Sequence, residues 1–170
     1  MSQRLTTTYY LDMHSPEQLC AKPLPAQLQV IECQIKQFQL NRFLYQLVGG
    51  PWAWTDKLLW TDAQWQAQVS QPNQRTWVAY QQGAVAGYYE LLMSAAGDVE
   101  IQYFGLVAEC FGQGFGGALL THALQSAWAW PGTQRAWVHT CTLDHPSALA
   151  NYQARGLRLY HQELSGEALI

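Results

Sequence analysis

Charge is scarce in this chain. Asp, Glu, Lys and Arg make up 12% of its 170 residues, about half the usual share, and Lys and Arg never cluster. With a net charge of -3 and a pI near 5.9, the electrostatic footprint of a nucleic-acid binder is missing. Cysteine is also thin. Cys20, Cys33, Cys110 and Cys141 lie far apart with no C-x-x-C pair, which argues against zinc and against a disulfide framework and leaves reduced thiols. His14, His122 and His161 have no metal-ligand spacing, and His139, in an apolar strand pattern, reads as a core or rim histidine; no metal is expected. No stretch approaches the roughly 18 apolar residues of a membrane span, and residues 1–16 lack a signal-peptide core. These absences point to a soluble, cytoplasmic protein with neither nucleic acid nor membrane as partner.

Apolar and aromatic residues are plentiful: 49% of the chain is hydrophobic, with 8 Trp. That suffices for one cored domain over residues 1–170. A β-branched, aromatic run at 6–12 predicts a strand. Ile31, Ile35, Phe38, Phe43, Leu44 and Leu47 recur at roughly helical spacing and predict a helix, whole or broken, over 28–48, stopped by Gly49-Gly50-Pro51. A loop then leads to a short helix ending near 69, capped by Thr61 or Asp62. RTWVAY, VAGYYELLM and VEIQYFGLV, separated by tight turns, predict three antiparallel strands from 75 to 107. Leu119, Leu120, Ala123, Leu124, Ala127 and Trp128 form the apolar face of a helix, followed by a strand (RAWVHTCTL), a helix from Pro146 to Gly156 and a last strand over 157–163. The order β-α-α-β-β-β-α-β-α-β makes an α+β domain.

Residues 110–120, CFGQGFGGALL, join a strand to a helix through Gly112, Gly114, Gly116 and Gly117. Bare N–H groups and a helix dipole converge there and favour an anion. The spacing Gly112-x-Gly114-x-x-Gly117 also satisfies the dinucleotide fingerprint, but residues 118–143 contain no Asp or Glu for the ribose, and the preceding strands are joined by hairpins where that fold needs crossovers. No G-K-S/T follows, so this is not a P-loop.

Phe111-Gly112-Gln113-Gly114-Phe115-Gly116 resembles the pyrophosphate loop Q/R-x-x-G-x-G/A of the GCN5-related N-acetyltransferase (GNAT) superfamily. HPSALANYQARGL at 145–157 resembles that family's N-x-x-A-x-x-x-Y-x-x-x-G-F/L motif, with Ala148, Tyr152, Gly156 and Leu157 in place. Phe111 stands where the family has Arg or Gln, and His145 where it has Asn. The resemblance, covering roughly residues 75–163, implies a mixed, mostly antiparallel sheet flanked by helices, with splayed fourth and fifth strands. It further implies an N-acetyltransferase that moves an acetyl group from acetyl-CoA to a primary amine of a small molecule or peptide, releasing CoA. A non-catalytic acyl-CoA-binding sensor or docking module is the alternative, and a homodimer is compatible with either.

The resemblance also assigns roles. Tyr152 falls on the tyrosine that protonates the departing thiolate, although a core-packing role would point its ring inward too. Glu100, eleven positions before Phe111, falls where some members carry the general base; its apolar neighbours predict a raised pKa, and strand alternation groups it with Gln102, Phe104 and Leu106. A bulge eased by Gly105 is expected to free the main chains of Leu106 and Val107 for the pantetheine arm. Gly112, Gln113, Gly114, Phe115, Gly116 and Gly117 bind the pyrophosphate, with His145 and Asn151 as secondary coenzyme contacts. Trp52, Trp54, Trp60 and Trp65, with Asp56 and Asp62, could wall a cationic acceptor or fill core.

Overall fold

The computed structural model describes residues 4–167. Along the chain run β1 (Arg4–Met13), β2 (Leu28–Glu32), α1 (Phe38–Gly49), α2 (Asp62–Val69), β3 (Gln74–Gln81), β4 (Ala84–Met93), β5 (Asp98–Leu106), α3 (Phe115–Ala129), β6 (Arg135–Cys141), α4 (Ala148–Ala154) and β7 (Arg158–Glu167). The strands make one sheet in the order β2-β3-β4-β5-β6-β1-β7, with only β5 and β6 parallel. This is the α+β, mostly antiparallel sheet flanked by helices that the sequence implies.

The helix expected over 28–48 is corrected: its first part is the edge strand β2, and α1 begins only at Phe38. Leu28-Gln-Val-Ile-Glu pairs along Trp77–Gln81 of β3. That ladder satisfies backbone groups a helix would satisfy internally, so tertiary pairing outweighs the helical spacing. Ile31 and Ile35, two residues of the supposed apolar face, are 46% and 81% exposed. The short helix starts as expected, with Thr61 accepting from the Gln64 N–H while Gln64 Oε1 accepts from the Thr61 N–H.

Successive β4 residues show which helices cover which face. The Tyr89 hydroxyl lies 2.7 Å from His122 Nδ1 and 2.9 Å from Ser126 Oγ of α3. Its neighbour Glu90 points the other way and accepts from Asn41 Nδ2 of α1 at 2.7 Å. Gln68 of α2 reaches Gln102, and Tyr152 of α4 packs on Phe104. So α1 and α2 lie on one face, α3 and α4 on the other, and Leu44, Val48, Leu91, Ile101, Leu119, Leu120 and Leu124 are buried between the layers.

Two irregularities of β5 prepare the site. Its parallel ladder with β6 comprises Asp98↔Arg135, Val99↔Ala136 and Glu100↔Trp137 and goes no further, so the rest of β5 has no ladder partner on that side. In the ladder with β4, the register passes from Glu90↔Tyr103 to Leu91↔Ile101, making Gln102 a bulged extra residue. The bulge therefore lies at Gln102 and not beside Gly105. It also breaks the simple alternation: Glu100 shares a face with Tyr103, while Phe104 and Leu106 turn to the α3 and α4 side. Gly105 serves close packing instead, since a Cβ there would meet Val48 Cγ1 at 2.5 Å.

Candidate active site

The glycine-rich turn leads into α3 with Gly112 and Gly114 at φ 75° and 78°, a region that favours glycine. Gly114 is the α3 N-cap, and no side chain caps the helix, so its first N–H groups are free for an anion. Phe115 is buried at 2% exposure, which leaves only its main chain for a ligand. Two cations that sequence reasoning missed close on this turn. Lys22, from the segment joining β1 and β2, donates from Nζ to the Gly114 carbonyl at 2.8 Å. A Cβ at Gly117 would stand 3.2 Å from Arg155 Nη1, and Arg155 Nε is buried with no hydrogen-bond acceptor among the described residues. Asn151 is the third neighbour, its Nδ2 3.6 Å from where a Gly116 Cβ would lie. Open N–H groups, two cations and an unpaired guanidinium nitrogen fit a phosphorylated coenzyme.

The remaining coenzyme candidates are placed less simply. His145 accepts at Nδ1 from the Ser147 N–H at 3.0 Å, organising the start of α4, and its ring joins those of Phe111 and Trp52 in one cluster. Gln113 donates to the Glu109 carbonyl and is exposed. The Val107 N–H is taken, donating to the Ala86 carbonyl at 2.9 Å. Leu106 pairs with Gly87 on the β4 side and meets no ladder on the β6 side.

Glu100 stands where the β5–β6 ladder ends. Its side chain is 19% exposed and lies 3.8 Å from Nε2 of His139, a half-exposed residue on β6. Burial pushes the Glu100 carboxyl up, with His139 and then Lys57 opposing the shift. His139 is thus at the rim, one of the two places expected for it, and beside a candidate base; its alternation with Trp137 and Cys141 was the only sequence signal. On the opposite face, Tyr152 is 6% exposed and packs at a ring separation of 6.2 Å on Phe104. Its hydroxyl makes no hydrogen bond among the described residues, and burial holds its pKa well above that of a free phenol. Cys110, the cysteine nearest the loop, is buried, and its thiol is pushed up first by burial and then by Glu109, which disfavours a thiolate.

Of the two readings of the tryptophans, packing within the protein is the one seen for Trp54, Trp60 and Trp65. Trp54 fills the space left by Gly49, packs on Tyr45, Tyr88 and Tyr103, and reaches Asp144 from Nε1 at 3.4 Å. It thereby bridges the end of β5 and the turn after β6. Trp60 and Trp65, with Tyr103, surround the ammonium of Lys57 at 4.6, 5.3 and 4.4 Å from the ring centroids. The cage foreseen for a substrate cation holds the protein's own. Asp62 pairs with Arg42 and Asp56 is exposed. Among the described residues no helix is long and apolar enough to cross a membrane.

Comparison with known proteins bears on the fold and the family. No curated protein matches the sequence. A GCN5-related N-acetyltransferase from Kribbella flavida superposes with a TM-score of 0.68 at 16% identity, covering 95% of this chain and 58% of that one. One from Sphaerobacter thermophilus superposes at 0.71 with 14% identity, covering 96% and 51%. The chain thus spans little more than half the length of these two structures. An IAA acetyltransferase from Bacillus cereus is 26% identical, with a TM-score of 0.57 and coverage of 78% and 79%. The family model described as Acetyltransferase (GNAT) family matches residues 37–157, from the start of α1 to the end of the second motif. The chain belongs to the GNAT acetyltransferase family.

Proposed function

We propose that the protein is an N-acetyltransferase that uses acetyl-CoA to acetylate a primary amine, by direct attack in a ternary complex. The reading rests above all on the opening of the β5–β6 ladder after Glu100, with Glu100 and His139 on one face and Tyr152 on the other. A base on the acceptor side and an acid on the coenzyme side are what transfer through a gap in a sheet requires.

Acetyl-CoA, when bound, supplies the acyl group as a thioester. The N–H groups of residues 112–117 hold its pyrophosphate, assisted by Lys22, Arg155 and Asn151, while the main chain of Leu106 orients its arm along the unpaired side of β5. Glu100, with His139 beside it, takes a proton from the acceptor amine; a raised pKa brings this carboxylate closer to the basicity the task needs. The amine nitrogen bonds to the carbonyl carbon as the carbon–sulfur bond breaks, and Tyr152 gives its proton to the departing sulfur. The unactivated Cys110 thiol supports direct transfer over a cysteine-bound intermediate.

Thermal unfolding with acetyl-CoA, CoA, NAD and ATP in parallel tests the coenzyme, since a ligand at a hundred times its Kd adds about 2.7 kcal/mol. Shifts with acetyl-CoA and CoA alone, followed by thiol release that depends on added amine, are expected. Tight CoA binding with no stimulation by any amine would instead favour a non-catalytic sensor or docking module.

A further inference from the structure

Lys57 is out of place for a lysine. It is 6% exposed, and its Nζ is fully buried with no hydrogen-bond acceptor among the described residues. Leaving a buried ammonium without an acceptor is costly, and three aromatic faces compensate only in part. Two more donors of the same aromatic cluster are buried and unpaired: the Tyr88 hydroxyl and Trp65 Nε1. Trp65 packs on Tyr45 and Trp60, and Tyr88 on Trp54, whose ring contacts Tyr103 and Tyr45. The cluster has donors and lacks an acceptor.

The nearby acids do not fill that place. Burial pushes the Lys57 ammonium's pKa down, with Glu90, then Asp56 and Glu100 opposing the shift, but none of these acids accepts a hydrogen bond from it; Glu90 is engaged by Asn41. A bare anion beside Glu90 and Glu100 would be repelled. A zwitterion would not, because its carboxylate can meet Lys57 while its ammonium meets Glu100, with no net charge added to a buried site. Entry requires the segment carrying Lys57 to shift; Leu58 and Leu59 beside it are 52% and 95% exposed, so their side chains add little packing that would resist it, and the Lys57 N–H bond to the Tyr45 hydroxyl is the tie that must give.

We infer that the acceptor is a free amino acid or a close relative, an amine that also carries a carboxylate, and that Lys57 anchors the carboxylate as a specificity-determining residue. This rests on the acetyltransferase reading above and narrows its acceptor. It disfavours polycationic acceptors, whose second charge would be repelled by Lys57.

The test compares kcat/KM for acceptor pairs that differ only in the carboxylate: lysine against cadaverine, phenylalanine against phenethylamine, glycine against glycinamide. At least one pair should favour the carboxylate by about tenfold or more, the worth of a hydrogen bond between charged groups. Lys57→Met should reduce that ratio to near one, chiefly through KM of the carboxylate member, and Lys57→Arg should restore part of it; a retained thermal shift with CoA reports that each variant is folded. Equal use of both members by the wild type overturns this inference and leaves the acetyltransferase reading standing. Failure of every amine to stimulate thiol release while CoA binds overturns both.

Discussion

Phe111 and His145 meet edge to face, their ring centroids 4.8 Å apart at an interplanar angle of 67°. They come from the glycine-rich loop and from the turn before α4, and they are the positions at which the two motifs depart from the family pattern. Trp52 touches both, at 5.9 Å from Phe111 and 4.9 Å from His145. The two departures therefore form a single aromatic contact between the two loops. A double-mutant cycle with Phe111→Leu and His145→Asn should show a coupling of about 0.5 to 1.5 kcal/mol in urea denaturation. Strict additivity would mean that the two changes are independent.

Tyr152→Phe separates catalysis from packing. The hydroxyl has no protein partner among the described residues, so its loss should leave the melting temperature unchanged, while kcat falls by about 10² to 10⁴ as expected for a missing general acid. Wild-type turnover in a folded variant would remove Tyr152 from the mechanism.

Glu100 fixes the sign of the pH dependence. A base must be ionised to accept a proton, and the Glu100 carboxyl is held above its ordinary range by burial. The acid limb of kcat/KM should accordingly fall at a higher pH than the about 4.3 of a free glutamate, and Glu100→Gln should lose that limb along with most activity. Linkage gives a second readout. With the folded pKa raised, the contribution of this group to stability is present below the unfolded pKa and lost as pH rises through the folded one. The Gln variant should gain stability relative to wild type over that window, and parallel stability curves would contradict the shift.

Lys22 makes the coenzyme site testable without turnover. Lys22→Met should weaken CoA binding by about tenfold at low salt, as for loss of one charge-assisted contact, and make the affinity less sensitive to salt. Unchanged affinity and salt slope in calorimetric titration would confine Lys22 to its bond with Gly114.

Gly49 supports Trp54. A Cβ there would overlap Trp54 Cε3 and Cδ2 and come within 2.6 Å of its Cβ. Gly49→Ala should destabilise by about 1 to 3 kcal/mol through overpacking, and a change in tryptophan fluorescence should accompany it. An unchanged denaturation midpoint would show that the Trp54 segment moves aside freely.

Much of this was legible in the sequence because it is local. Hairpin turns, the Thr61 cap, the apolar face of α3 and both motifs depend on residues close together in the chain, where backbone preference and periodicity act directly. β2 was misread because helical spacing and a five-residue edge strand look alike until the partner strand is present. The bulge at Gln102 was invisible for a related reason. A register shift belongs to a pair of strands, and it moved Glu100 onto the face of Tyr103 without any mark in the sequence of β5.

The site divides in the same way. The sequence by itself determined the glycine-rich turn, since glycines at 112, 114, 116 and 117 before an apolar helix leave N–H groups bare in almost any context, and it pointed to Tyr152 by its place in the second motif and to Glu100 by its spacing from Phe111. Tertiary structure alone decided what surrounds them. Lys22 and Arg155 reach the loop from other segments, His139 meets Glu100 across an opened ladder, and the tryptophans close on Lys57. Charges and aromatic faces act over a few ångströms of space whatever the distance along the chain, so the partners of each group appear only once the chain is folded.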